Sequence, residues 1–78
     1  MIALELDTVG RRCPVPVLEL ARHIGDVAPG EVLAVVSDDD AAAADVPAWC
    51  RMRGHTYAGT EPRAVGTAYL VRRSSTAP

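Results

Sequence analysis

Cys13-Pro14-Val15-Pro16-Val17-Leu18-Glu19-Leu20-Ala21-Arg22-His23-Ile24-Gly25-Asp26-Val27-Ala28-Pro29-Gly30 is the segment on which the fold turns. Val17, Leu20, Ala21, Ile24, Val27 and Ala28 recur at i, i+3, i+4, i+7, i+10 and i+11, the spacing of an amphipathic helix with one dry face. Glu19, Arg22, His23 and Asp26 occupy its other side. Proline suits a first helical turn, because the N–H it lacks would be unpaired there anyway. Pro29-Gly30 stops the helix, and Gly25 weakens its last turns.

The flanks of this helix read as strands. Ile2 to Asp7 alternates Ile2, Leu4 and Leu6 with Ala3, Glu5 and Asp7, the period of a half-buried strand. Thr8 to Arg12 is a loop. Val32 to Val36 is continuously apolar and reads as a central strand, parallel to the first if the helix between them is a crossover. Asp38-Asp39-Asp40 looks like a cap region, where acids complement the positive end of a second helix. Ala42, Val46, Trp49, Cys50 and Arg53 form its stripe. Pro47 demands that this helix begin near Asp45 or kink, and Gly54 ends it. His55 to Thr60 is a short strand, Glu61-Pro62-Arg63 a turn, and Ala64 to Arg73 the last strand.

The expected fold is therefore α/β, in the order βαβαββ. A right-handed first crossover gives a two-layer sandwich, a mixed four-stranded sheet with both helices on one face and the more polar face opposite. Residues 1–73 form a single domain and residues 74–78 a short polar tail expected to fray.

Composition narrows the function. A chain of 78 residues with 49% apolar residues is one small globular unit. It buries roughly 60% of its unfolded surface, and with no Phe and one Trp the core must be aliphatic. That leaves little room for a pocket with a cofactor, so no cofactor or metal is expected. Chemistry belongs on one exposed group working against a partner's surface. Eight Arg, no Lys and ten acidic residues give a net charge of −2, which argues against a nucleic-acid partner or an anionic membrane. The acidic N-terminal stretch does not resemble a signal peptide, and no apolar run approaches the ~20 residues of a membrane span. A cytoplasmic location follows, where thiols stay reduced, so Cys13 and Cys50 are expected free rather than bridged.

Cys13 is the sharpest candidate. At the start of the first helix a thiol meets unpaired N–H groups and the positive end of the helix dipole. Both favour the thiolate, the nucleophilic form. Arg11 and Arg12 add positive charge, and Pro14 and Pro16 stiffen the turn that presents the sulfur. Cys50 shares a stripe with Val46 and Trp49 and reads as core; its functional alternative is a resolving thiol for Cys13. His23 reads as solvated, and His55 as capping the second helix or packing at its end. The spacing of these two Cys and two His matches no zinc site. Asp38-Asp39-Asp40 lacks the alternating ligands of a calcium loop and reads as an acidic cap or docking patch.

The residues Leu6-Asp7, Gly10-Arg11-Arg12-Cys13-Pro14-Val15-Pro16-Val17, Pro29-Gly30-Glu31, Asp38-Asp39, Asp45-Val46-Pro47, Cys50, Gly54-His55 and Tyr69-Leu70-Val71-Arg72 resemble the TusA family of sulfur-carrier proteins, also called SirA-like. The C-P-x-P motif and its place in a βαβαββ chain carry the likeness. The resemblance implies a two-layer α/β sandwich. It implies that Cys13 accepts sulfane sulfur as a persulfide from a cysteine desulfurase or rhodanese-like donor and passes it to an acceptor protein. The family's uses include tRNA thiolation, cofactor sulfuration and sulfur oxidation. Relatives often carry an acid at the variable motif position, where this chain has Val15. Two other classes compete: a non-catalytic regulatory or RNA-binding module of the same fold, and a two-cysteine redox protein.

Overall fold

The computed structural model describes residues 1–75. Its elements are β1 (Ile2–Asp7), α1 (Val15–His23), β2 (Val32–Ser37), α2 (Ala42–Arg53), β3 (Thr56–Pro62) and β4 (Thr67–Arg72). The four strands form one sheet in the order β1-β2-β4-β3. β1 runs parallel to β2, and β4 runs antiparallel to both β2 and β3. This is the expected α/β sandwich.

Register explains the core. Leu4 lies opposite Leu33, Leu33 opposite Val71, and Val71 opposite Tyr57. One step along the pleat, Leu6, Val35 and Tyr69 form a second row. Both rows pack under the helices against Leu20 and Ile24 from the first helical segment and Ala42, Val46, Trp49 and Cys50 from α2. All six residues of β2 are buried, as its unbroken apolar run requires.

The opposite face is less polar than expected. Ala34, Val36 and Ala68 are buried there with Ile2, Val9 and Leu70 around them. Beside them Arg63 pairs with Glu5 at 2.8 Å. The cause is the central position of β2, whose every second side chain points away from the helices and is still apolar.

Four boundaries differ from the sequence reading. The first helix stops at His23 and tightens into one 3₁₀ turn, Ile24–Asp26, before Val27 becomes extended. Gly25 is the weak helix former in that turn, and Val27 stays buried without being helical. The second helix begins at Ala42, five residues before Pro47. Pro47 leaves the Ala43 carbonyl without its helical donor, at an exposed residue where water has access. β3 runs on through Pro62, and the turn falls at Arg63–Gly66, leaving Val65 58% exposed instead of on the last strand. Of the expected tail, residues 76–78 lie outside the described residues; the Ser74 N–H donates to His55 Nδ1 at 3.0 Å.

His55 packs at the end of α2, and its N–H donates to the Cys50 carbonyl at 3.0 Å. Its ring stacks on Trp49 with centroids 5.2 Å apart, and the Arg53 guanidinium lies 5.9 Å from the Trp49 ring centre.

Candidate functional site

Because β1 and β2 are parallel, the loops that follow them leave from the same edge of the sheet. Thr8 closes the first loop onto the second strand: its N–H and its hydroxyl both donate to the Val36 carbonyl, at 2.8 and 2.6 Å. From the β2–α2 loop, Asp38 Oδ1 accepts the Gly10 N–H at 2.9 Å. Asp39 Oδ2 accepts the Cys13 N–H at 2.8 Å. The other oxygen of Asp39 accepts the Ala41 N–H at 3.0 Å, and the Asp39 N–H donates to Ser37 Oγ at 3.0 Å. Two adjacent carboxylates thus hold both ends of the segment 10–13.

Cys13 stands one residue before Pro14, the N-cap of α1, and Pro16 lies buried in the first turn. The Pro14 carbonyl accepts the Leu18 N–H at 2.9 Å, and the Cys13–Pro14 peptide bond is cis. The Cys13 side chain is half-buried against the main core. Arg11 and Arg12 are exposed and line a depression with Gly10 and Asp38 to Asp40. On the helix side, Pro14 and Val17 face Asp45, Ala48, Trp49 and Met52 across a shallow groove.

The electrostatics of the thiol reverse the sequence expectation. Burial, then a hydrogen bond to Asp45, then the negative charges of Asp45 and Asp39, push the Cys13 thiol up to about 11 from an ordinary 9.0. Proximity to a helix N-terminus favours thiolate, but desolvation and two carboxylates within reach outweigh it. No arginine is among the causes of that shift; the Arg12 charge acts on Asp39. The Asp39 carboxyl is held below the usual carboxylate range by the N–H groups of Ala41 and Cys13, with Arg12 adding to the effect.

Cys50 is 1% exposed, inside the core beside Val46 and Trp49, as its stripe predicts. Burial raises its thiol to about 11 as well. Both cysteines are free thiols. His23 sits on the surface with Nδ1 2.8 Å from Asp26 Oδ2. Among the described residues no three His, Cys, Asp or Glu side chains gather so as to hold a metal ion, and no helix is long and apolar enough to cross a membrane.

Asp39 and Asp45 were not singled out as neighbours of the thiol from the sequence. They lie 26 and 32 positions beyond Cys13. A signal for Asp39 existed in the parallel pairing, which places the residues after β1 and after β2 at one edge, where α/β folds gather their functional groups. Asp45 carried no comparable signal, since only the packing of α2 against α1 brings it to Cys13.

Fold and site together define a small two-layer α/β protein built around one half-exposed thiol just ahead of a helix. The family described as Sulfurtransferase TusA matches residues 4–73. The match runs from within β1 to one residue past β4, and the chain belongs to that family. Sulfur transfer between donors and acceptors is the role of the family.

Proposed function

We propose that this protein is a sulfur carrier that accepts sulfane sulfur on Cys13 as a persulfide and relays it to an acceptor protein. The observation that carries the reading is the contrast between the two thiols of a TusA-family chain. Cys13 is half-exposed on a stapled loop, and Cys50 is sealed in the core.

In the loading step Cys13 Sγ bonds to the terminal sulfur of a donor persulfide. The donor's sulfur–sulfur bond breaks, and the donor cysteine leaves as a thiolate that takes up the Cys13 proton. The second step is the same exchange with Cys13 as donor. Pro14 and Pro16 hold the start of α1, so the sulfur is presented from a fixed backbone, and Arg11 and Arg12 set positive charge beside the anionic persulfide. A cysteine desulfurase or a rhodanese-like protein fits as donor. tRNA thiolation, cofactor sulfuration and sulfur oxidation are the destinations open to such a carrier, acting in the cytoplasm.

Incubation with a cysteine desulfurase and cysteine should add one sulfur atom to the intact mass. Cys50→Ala should load like the wild type. Uptake by Cys13→Ser equal to that of the wild type would sink the proposal.

A further inference from the structure

Asp39 presents a contradiction. A carboxylate beside a thiol disfavours thiolate, so its charge works against transfer chemistry at Cys13. Its geometry does the opposite. One oxygen takes the Cys13 N–H and the other the Ala41 N–H, so a single side chain pins the β1–α1 loop to the start of α2. Its own backbone is anchored in turn, through its N–H, on the hydroxyl of Ser37, a residue 1% exposed. Asp38 and Asp40 are exposed, whereas Asp39 is half-buried.

We infer that Asp39 is the positioning residue of the transfer thiol, fixing through its hydrogen bond to the Cys13 N–H the direction in which the sulfur meets an incoming persulfide. This rests on the reading of Cys13 as the reacting thiol. Alignment is worth a large factor in such an exchange, since a misplacement of about 1 Å costs up to roughly 100-fold in rate. Beside the thiol, Asp45 from α2 supplies charge and a hydrogen bond, and Arg12 supplies charge to Asp39 itself; neither holds the Cys13 backbone.

Two substitutions separate position from charge. Asp39→Asn removes the charge and keeps one oxygen for the Cys13 N–H, while the exposed Ala41 N–H turns to water. Asp39→Glu keeps the charge and displaces the acceptor by one methylene. With glutathione persulfide as donor, which brings no docking surface, Asp39→Asn should load no more slowly than the wild type and Asp39→Glu about 10-fold more slowly. A Glu variant as fast as the wild type, or an Asn variant as slow as the Glu variant, overturns the inference.

Alkylation of Cys13 by iodoacetamide across pH, read on the peptide from Cys13 to Arg22, needs no sulfur donor. Its midpoint should not rise in Asp39→Asn, and at fixed pH Asp39→Glu should be alkylated more slowly than the wild type; a Glu variant alkylated as fast as the wild type also overturns the inference. If the wild type takes up no sulfur at all, the carrier reading fails, and the alkylation profile still decides whether Asp39 acts on Cys13.

Discussion

At the scale of single residues, Cys13 in the free protein is a protonated thiol at neutral pH. Its surroundings hold the proton: partial burial, the Asp45 hydrogen bond and the Asp39 charge. A protonated thiol is a poor target for oxidation, since oxidation follows thiolate character. Asp45→Asn should bring the alkylation midpoint of Cys13 below that of the wild type, because it removes the charge that follows burial among the causes. A midpoint that stays near 11 would show that Asp45 does not contribute to it. His55 also has a shifted equilibrium. Burial and the nearby charges of Arg73 and Arg53 lower it from 6.5. Its Nδ1 accepts the Ser74 N–H, so Nε2 carries the proton of the neutral ring, and that atom is buried with no hydrogen-bond partner among the described residues.

At the scale of elements, the turns carry the most specific demands. Gly66 has φ +79, and a Cβ there would lie 2.6 Å from the Ser37 carbonyl oxygen. The Cβ would meet backbone rather than a movable side chain, at the end of β2 where the site loop begins. Gly66→Ala should destabilise the protein by about 1–3 kcal/mol, from left-handed strain and from the forced shift of Ser37. Urea titration checks this, and an unchanged midpoint would mean the β3–β4 turn moves freely away from β2. Gly54, at φ +79, closes α2 with its N–H on the Cys50 carbonyl, the left-handed ending that glycine favours. The helices lean on packing as much as on propensity. α1 has nine residues, too few to persist alone in water, and Leu20 is its fully buried anchor.

For the molecule as a whole, the main core is a mostly aliphatic layer between sheet and helices, with Trp49 and Tyr69 in it, and it has little redundancy. Leu20→Ala should cost about 2–5 kcal/mol, a large share of the stability of a domain this small. Thermal melting should show it as a markedly lower Tm, and an unchanged Tm would place α1 outside the cooperative unit. The pH dependence of stability has two edges. His55 binds a proton less readily folded than unfolded, so its contribution is present above about pH 6.5 and is lost as pH falls below that value. Cys13 and Cys50 hold their protons more tightly when folded. Their contribution is present below 9.0 and is lost as pH rises from 9.0 towards about 11. Denaturant midpoints measured from pH 5 to 11 should trace a plateau between these edges. Cys50→Ala should soften the alkaline edge without moving the acidic one.

The order βαβαββ, the central place of β2 and the burial of Cys50 were all legible in the sequence. Each follows from local periodicity or from a residue type whose chemistry is confined to a few positions. Element ends were less legible, because a stretch such as Ile24–Val27 satisfies the helical spacing while packing without helical geometry. Which carboxylates face the thiol was decided by tertiary structure alone. Parallel pairing of β1 with β2 sets Asp39 against the Cys13 backbone, and packing of α2 against α1 brings Asp45 to its sulfur. The state of the thiol was settled there too. The sequence specifies a helix N-terminus, which favours thiolate, whereas only the folded chain specifies how much water is removed and which charges stand in its place.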